Sequence, residues 1–178
     1  MLNQKNRRSE DFCIIPVRIT LNDRQEFLNH IRNLGDQYDV TIICLNRDMI
    51  AGYSHVKTAM IHALRSWKEE KNIARSLEME VLLYVAGTRQ TGQIAPFGPQ
   101  IGENFYYLCI TPAEKKIITA LPDCIQEVDD KDWNIISEEK KKRLVQFFGI
   151  TPEEITVTGE EQLVDLICER TALLAVNR

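Results

Sequence analysis

The sequence predicts an α+β fold, a single domain whose central buried helices pack against a small, mostly antiparallel sheet. Three observations lead there. The run from Ser54 to Gly98 carries apolar residues at helical spacing and includes a stretch, Val81 to Ala86, that is apolar on every side. Short strand-like runs at Phe12 to Thr20, Asp39 to Leu45 and Phe105 to Ile110 interleave irregularly with helical patterns. At 178 residues and 44% hydrophobic content, the chain fills one sizeable core and is short for two.

Residues 1 to 10 are polar, include Lys5, Arg7 and Arg8, and read as a flexible arm before a domain over residues 11–178. In Phe12 to Thr20, Pro16 lacks a ladder donor, which assigns this strand to a sheet edge or a bulge. Asn22 to Leu34 is a helix with Phe27, Leu28, Ile31 and Leu34 on one side and Gly35 as terminator. Asp39 to Leu45 (DVTIICL) is a central strand, and a loop from Asn46 to Tyr53 follows it. Val56, Ala59, Met60, Ala63 and Trp67 then form one helical stripe, widened by Ile61 and Leu64, with Ser54 as N-cap.

Ser76 opens the next segment, with Glu78 and Glu80 near its positive end. Periodicity does not choose between helix and strand for Val81 to Ala86. The acidic start, the length from Leu77 and Gly87 at the C′ position favour helix. Thr88 caps a third, shorter helix carrying Ile94 and Ala95, which Pro96 helps to stop. After the strand at Phe105, Thr111, Pro112 and Glu114 fit a capping box and equally a hairpin turn. The β-branched Ile117, Ile118 and Thr119 favour the hairpin, with Lys116 to Leu121 as return strand. Asp123 to Asn134 reads as exposed loop. A helix from Ser137 to Phe148 ends at Gly149, Thr151 caps a single turn, Ile155 to Thr158 is a short strand, and Glu160 to Val176 is the last helix.

The net charge of −4 gives no overall attraction to nucleic acid or anionic membrane. No apolar run approaches the roughly twenty residues of a membrane helix, and the start MLNQKNRRSEDF is not that of a secretory signal. The five cysteines (Cys13, Cys44, Cys109, Cys124, Cys168) form no CxxC pair, and most sit in apolar runs. Buried free thiols in a reducing cytoplasm are the expectation. No catalytic residue, metal or cofactor is expected. His30, His55 and His62 include no pair at the i, i+4 spacing of a helical metal clamp, and none of the GxSxG, GxxxxGK[ST] or GxGxxG patterns occurs. Asp129, Asp130 and Asp132 read as a solvated loop in preference to a weak ion site.

The cations carry more information. Arg65, Lys68, Lys71, Arg75 and Arg89 gather around the central helices. Local contacts, and not total charge, decide whether a protein holds a few phosphates. By charge alone, pairing with Glu69, Glu70, Glu78 and Glu80 is the simpler account of them. Arg75 and Arg89 flank the buried segment and meet only where the chain folds back. Thr88, Arg89 and Gln90 offer side-chain and amide donors to an anion or nucleotide.

The run NIARSLEMEVLLYVAGTRQ, then QIAPFG, and CERTALLAV near the C-terminus together resemble the kinase-binding subunit of the KEOPS (EKC) complex. The resemblance covers residues 54–98 and 162–176, and its motifs are largely packing residues. It implies a non-catalytic subunit of the machinery that makes threonylcarbamoyladenosine in tRNA. Such a subunit binds and supports the kinase/ATPase subunit and, in archaeal members, holds the single-stranded CCA end of tRNA. Single-strand recognition uses stacking and a few cations, so an acidic protein can perform it. On this resemblance Arg75, Arg89 and Gln90 are carried over as nucleotide contacts, with Lys71 beside them as an RNA-binding residue. Pro96 and the stretch around Asp123 to Asn134 depart from the family pattern, the latter reading as an insertion within 112–135. The face that meets the kinase is not identified. Two other classes compete: a small metabolic enzyme using Arg89 and the loop from Gly98 to Gly102, and a purely structural partner protein that never touches RNA.

Overall fold

The computed structural model describes residues 11–176; the N-terminal arm expected over residues 1 to 10 lies outside them. Four antiparallel strands, β1 (Cys13–Leu21), β2 (Thr41–Asn46), β3 (Gly102–Thr111) and β4 (Ile125–Glu127), form one sheet in the order β2-β3-β1-β4. Side-chain alternation divides the core between the two faces. Ile15, Val17, Ile19, Ile42, Cys44, Tyr106 and Leu108 meet Phe27, Ile31 and Leu34 of helix α1 (Arg24–Tyr38). Ile43, Leu45, Tyr107 and Cys109 meet the central helices on the other face. The α+β class is therefore as the sequence predicts.

The strand positions are not. DVTIICL lies at the sheet edge, and its burial comes from helices on both faces rather than from strands on both sides. The Pro16 strand is internal. Pro16 accepts a bond from the Val128 amide (3.0 Å), on the β4 side. A residue in an antiparallel ladder points its donor and acceptor to the same neighbour. Its missing N–H thus falls where β4 has already ended, and the β1–β3 ladder loses nothing.

Helix α1 starts at Asp23, whose carboxylate accepts from the Glu26 amide (2.9 Å), and it runs through Gly35 to Asp39 in the left-handed region. Gly35 is not a terminator. A Cβ there would lie 2.6 Å from the Val40 carbonyl oxygen, so glycine permits a close approach of backbone. The two central helices are α2 (Tyr53–Lys68) and α3 (Leu77–Ala86). Ser54 lies inside the first turn of α2, and Gly52 takes the cap position. The first amide of the helix, that of Tyr53, instead finds the side chain of Asn134 (3.0 Å). Ser76 caps α3 by accepting from the Met79 amide, and Gly87 closes it at φ 60°. Val81 to Ala86 are buried all round, as their composition requires.

Beyond α3 the third short helix is replaced by two 3-10 turns, Thr91–Gln93 and Ala95–Phe97, with Pro96 in the first turn of the second. The expected hairpin is also absent. Lys115–Ala120 is a 3-10 helix capped by Glu114, and its Ile117 is buried against the α1 side of the sheet. The place beside β1 goes to β4 instead. Asp123 to Asn134 is not wholly exposed, because Trp133 is buried against Phe105 and Tyr107, whose hydroxyl donates to the Trp133 carbonyl.

The remaining helices are α4 (Glu138–Phe148), α5 (Pro152–Thr158) and α6 (Leu163–Leu173). α4 has the expected caps, Ser137 and Gly149. The segment Ile155 to Thr158 is helical, not a strand. The Thr151–Glu154 capping box nucleates it, and the Thr156 and Thr158 hydroxyls donate to carbonyls one turn back. All five cysteines are free; Cys44 and Cys109 are buried, whereas Cys124 is exposed, against expectation.

His55 fastens the start of α2 to the end of α3. Its Nδ1 accepts from the Ala51 amide (3.1 Å) and its Nε2–H donates to the Val85 carbonyl (2.8 Å), which fixes the neutral tautomer. Burial pushes its pKa down to about 4. The unfolded imidazole protonates near 6.5, so this term is constant above that pH and lost as pH falls from there to about 4. Urea unfolding is expected to show about 2 kcal/mol less stability at pH 5 than at pH 7.5 from this group. A His55→Gln variant should lack that component; an equal drop in both proteins would contradict the assignment.

Candidate functional site

Of the cations named from the sequence, Arg65 and Lys68 lie in the last turn of α2, and Lys71, Arg75 and Arg89 lie in loops at the two ends of α3. Lys71, Asn72 and Arg75 belong to the turn that joins α2 to α3. A buried carboxylate positions this turn: Glu80 Oε2 accepts from the amides of Ile73 (2.8 Å) and Ala74 (2.7 Å). Asn72 donates its side-chain amide to the Ala74 carbonyl, and the Lys71 amide bonds the Ser66 carbonyl at the close of α2. The Lys71 ammonium pairs with Glu69 at 2.9 Å, as the charge-balance account expects. Arg75 is exposed and makes no ion pair among the described residues.

Arg89 and Gln90 follow α3. Arg89 donates from Nη2 to the Leu174 carbonyl (3.3 Å), so it caps the last turn of α6. Gln90 belongs to a small polar web: its amide bonds the Thr88 hydroxyl, and its side chain accepts from Gln93. Thr88 thus folds a turn instead of capping a helix. Arg75 and Arg89 stand at opposite ends of a ten-residue helix, about 15 Å long at 1.5 Å per residue. The helix holds them apart.

What the structure does bring together is Lys71 and the end of α6. A cavity of about 550 Å³ opens between α2 and α6, with Lys71, Arg65 and Glu69 near the α2 side and Leu173 of α6 and Val176 just after it on the other. His62 lies in its wall, stacked on Tyr84 at 6.1 Å with 12° between the rings. Burial and then the neighbouring Arg65 lower the pKa of His62, which favours the neutral ring. The hydroxyl of Ser66, also in the wall, is buried without a hydrogen-bond partner among the described residues. Leu173 and Val176 leave apolar surface in solvent. A half-buried ring and cations beside apolar surface suit a stacked nucleotide with its phosphate, or a side chain of a protein partner.

The crossing of α6 over the end of α3 creates this arrangement. A Cβ on Gly87 would lie 3.4 Å from the Arg170 carbonyl oxygen, so the left-handed glycine also allows α6 to approach. Arg170 pairs with Glu154 of α5, while its neighbour Glu169 lines the cavity. His62, Ser66 and Tyr84 were not singled out as a group by sequence. His62 and Ser66 are one helical turn apart, but Tyr84 joins them only through tertiary packing. The loop from Gly98 to Gly102 is closed on itself, with the Gln100 side chain donating to the Ala95 and Gly98 carbonyls. No hydrogen bond or ion pair among the described residues joins it to Arg89, as an enzyme site spanning the two would need. In the acidic stretch, Asp129 pairs with Lys131.

No model of a known protein family matches the chain. It is similar to the regulatory protein Cgi121 of Methanocaldococcus jannaschii, with 28% identity over 151 residues, 84% of this chain and 91% of that protein. The similarity bears out the resemblance to the KEOPS kinase-binding subunit family and extends it well beyond the two stretches that carry the motifs.

If Glu80 positions the Lys71–Arg75 turn, Glu80→Ala should cost about 2 kcal/mol or more in chemical unfolding, since it strands amides under the fold. Ser66→Ala should be neutral within about 0.5 kcal/mol, because its hydroxyl has no bond to lose. Equal costs for the two would contradict both roles.

Proposed function

We propose that this chain is a non-catalytic regulatory subunit of the KEOPS tRNA threonylcarbamoyladenosine-modification complex, working in the cytoplasm. In this reading it binds and supports the kinase/ATPase subunit and recruits tRNA through its single-stranded CCA end. The observation that carries the reading is the similarity to the Cgi121 regulatory protein across most of both chains. The geometry is consistent with it: Lys71 lines the cavity that holds the stacked His62 and an apolar rim, and Arg89 donates to the Leu174 carbonyl at the end of α6. Stacking and a few phosphate contacts there require no basic protein. Arg75 and Gln90 extend the contact to either end of α3, each reaching a separate nucleotide.

A second reading, a structural partner that never touches RNA, draws on the partners these groups already have, Glu69 for Lys71 and the Leu174 carbonyl for Arg89.

Binding of intact tRNA, compared at matched salt with the same tRNA lacking its CCA end, separates the two readings. The proposal expects at least a tenfold weaker complex, about 1.4 kcal/mol, without CCA, and a comparable loss in an Arg75→Ala, Arg89→Ala double variant that stays folded. Equal binding of both tRNAs would remove CCA recognition. Absence of any tRNA binding, with the kinase subunit still co-purifying, would favour the structural partner. The chain alone should turn over no ATP; hydrolysis by it would contradict the non-catalytic assignment.

A further inference from the structure

The last turn of α2 also borders a second cavity, of about 510 Å³, which the end of α1 and the start of β2 complete. Val40, Leu64, Trp67, Leu77 and Pro112 give this groove an apolar lining. Trp67 is only half-buried, and no ring or cation lies against it among the described residues. The charged residues of the lining are Asp11, Asp36, Asp39 and Lys68, and none of them is in an ion pair among the described residues. Three carboxylates against one ammonium leave two negative charges uncompensated. Asp36 and Asp39 are exposed and stand at the end of α1, where the helix dipole adds negative partial charge.

The chain enters the fold at the wall of this groove. Asp11, the first of the described residues, accepts from the Thr111 hydroxyl through its carbonyl (2.8 Å) and from the Ala113 amide through its carboxylate (3.1 Å). These bonds fix the point to which residues 1–10 are joined. That segment, outside the described residues, carries Lys5, Arg7 and Arg8 against one carboxylate, Glu10. Its two uncompensated positive charges match the two negative ones of the groove. At about 3.3–3.6 Å per residue, an extended chain reaches roughly 10 Å from Asp11 at Arg8 and roughly 20 Å at Lys5. Asp36, Asp39 and Trp67 line the same cavity as Asp11, so they fall within that reach.

We infer that this groove is an internal docking site for the chain's own basic segment, with Arg7 and Arg8 set against Asp36, Asp39 and Trp67. A planar guanidinium is the group that suits this lining, because it bonds a carboxylate through its edge and stacks on an indole through its face. Lys68 lessens the attraction without reversing its sign. A segment tethered at the wall meets the groove at an effective concentration on the order of millimolar, an advantage that no separate partner shares. None of the residues proposed for tRNA contact lines the groove, so the inference stands whether or not that reading does.

The test compares the full chain with a Lys5→Glu, Arg7→Glu, Arg8→Glu triple variant by ¹⁵N–¹H spectra. At low salt the two should differ at the Trp67 indole and at the amides of Asp36 to Thr41, while the indole of buried Trp133 stays in place. Salt of about 0.5 M should move the wild type towards the variant, because it screens the attraction. Asp36→Asn with Asp39→Asn, which keeps a residue tolerant of the left-handed conformation at position 39, should shift the Trp67 signal in the same sense. A synthetic peptide of residues 1–10 should bind the triple variant saturably and about tenfold more tightly than the wild type, whose groove is already filled. The inference is overturned if the wild type and the triple variant give the same Trp67 and Asp36 to Thr41 signals. It is overturned equally if both bind the peptide alike, which would make the groove an open site for a basic segment of another protein. A difference that grows with protein concentration would overturn it too, by assigning the segment to the groove of a second copy.

Discussion

A helix without a polar face has to be enclosed, and α3 is that helix. From Val81 to Ala86 every side chain is apart from water, so the sheet, α2 and α6 must cover it on different sides. Its ends are where the chain must again meet solvent, and both ends are elaborately tied. At the start, Ser76 takes one free amide and Glu80 holds the incoming turn. At the finish, Gly87 turns the chain in the left-handed region and His55 supplies a donor to the Val85 carbonyl, one of the terminal carbonyls a helix leaves unpaired.

Because the middle of α3 is closed off, the polar groups with any freedom to act lie beyond its ends. Lys71 and Arg75 stand at one, Arg89 and Gln90 at the other. The path of α6 then decides which of them share a surface. Its last turn meets Arg89 directly and borders the cavity lined by Lys71. Enclosure of the core and construction of the candidate site are therefore consequences of one packing arrangement. The same logic applies on the far side of α2, where Trp133 covers Tyr107 and holds Arg47 in place while Asn134 caps α2.

Features set by local chemistry were legible in the sequence: the caps at Ser76 and Gly87, those at Ser137 and Gly149, and the all-round burial of Val81 to Ala86. Features that depend on distant neighbours were not. Gly35 looks like a stop until the Val40 carbonyl is seen against it, and the β-branched residues after Ile155 look like a strand until the capping box is closed. Ile117 to Thr119 favour a strand by propensity, but Glu114 caps a turn and β4 takes the place beside β1. For the site, charge pattern identified the cations at Lys71, Arg75 and Arg89. It could not show that α3 separates the arginines, or that Tyr84 brings a stacked ring to Lys71's side of the fold.

Amide hydrogen exchange on the free chain and on its complex with a short single-stranded RNA ending in CCA would test the central claim most directly. The account predicts that Val81 to Ala86 are the slowest amides in both states, exchanging only on global unfolding. Added protection should fall on Thr88 to Gln93, on the Lys71–Arg75 turn and on the last turn of α6. Fast exchange within Val81 to Ala86 would contradict the enclosed helix. Protection confined to α1 and the sheet face beneath it would place the RNA on the opposite side of the molecule and contradict the site.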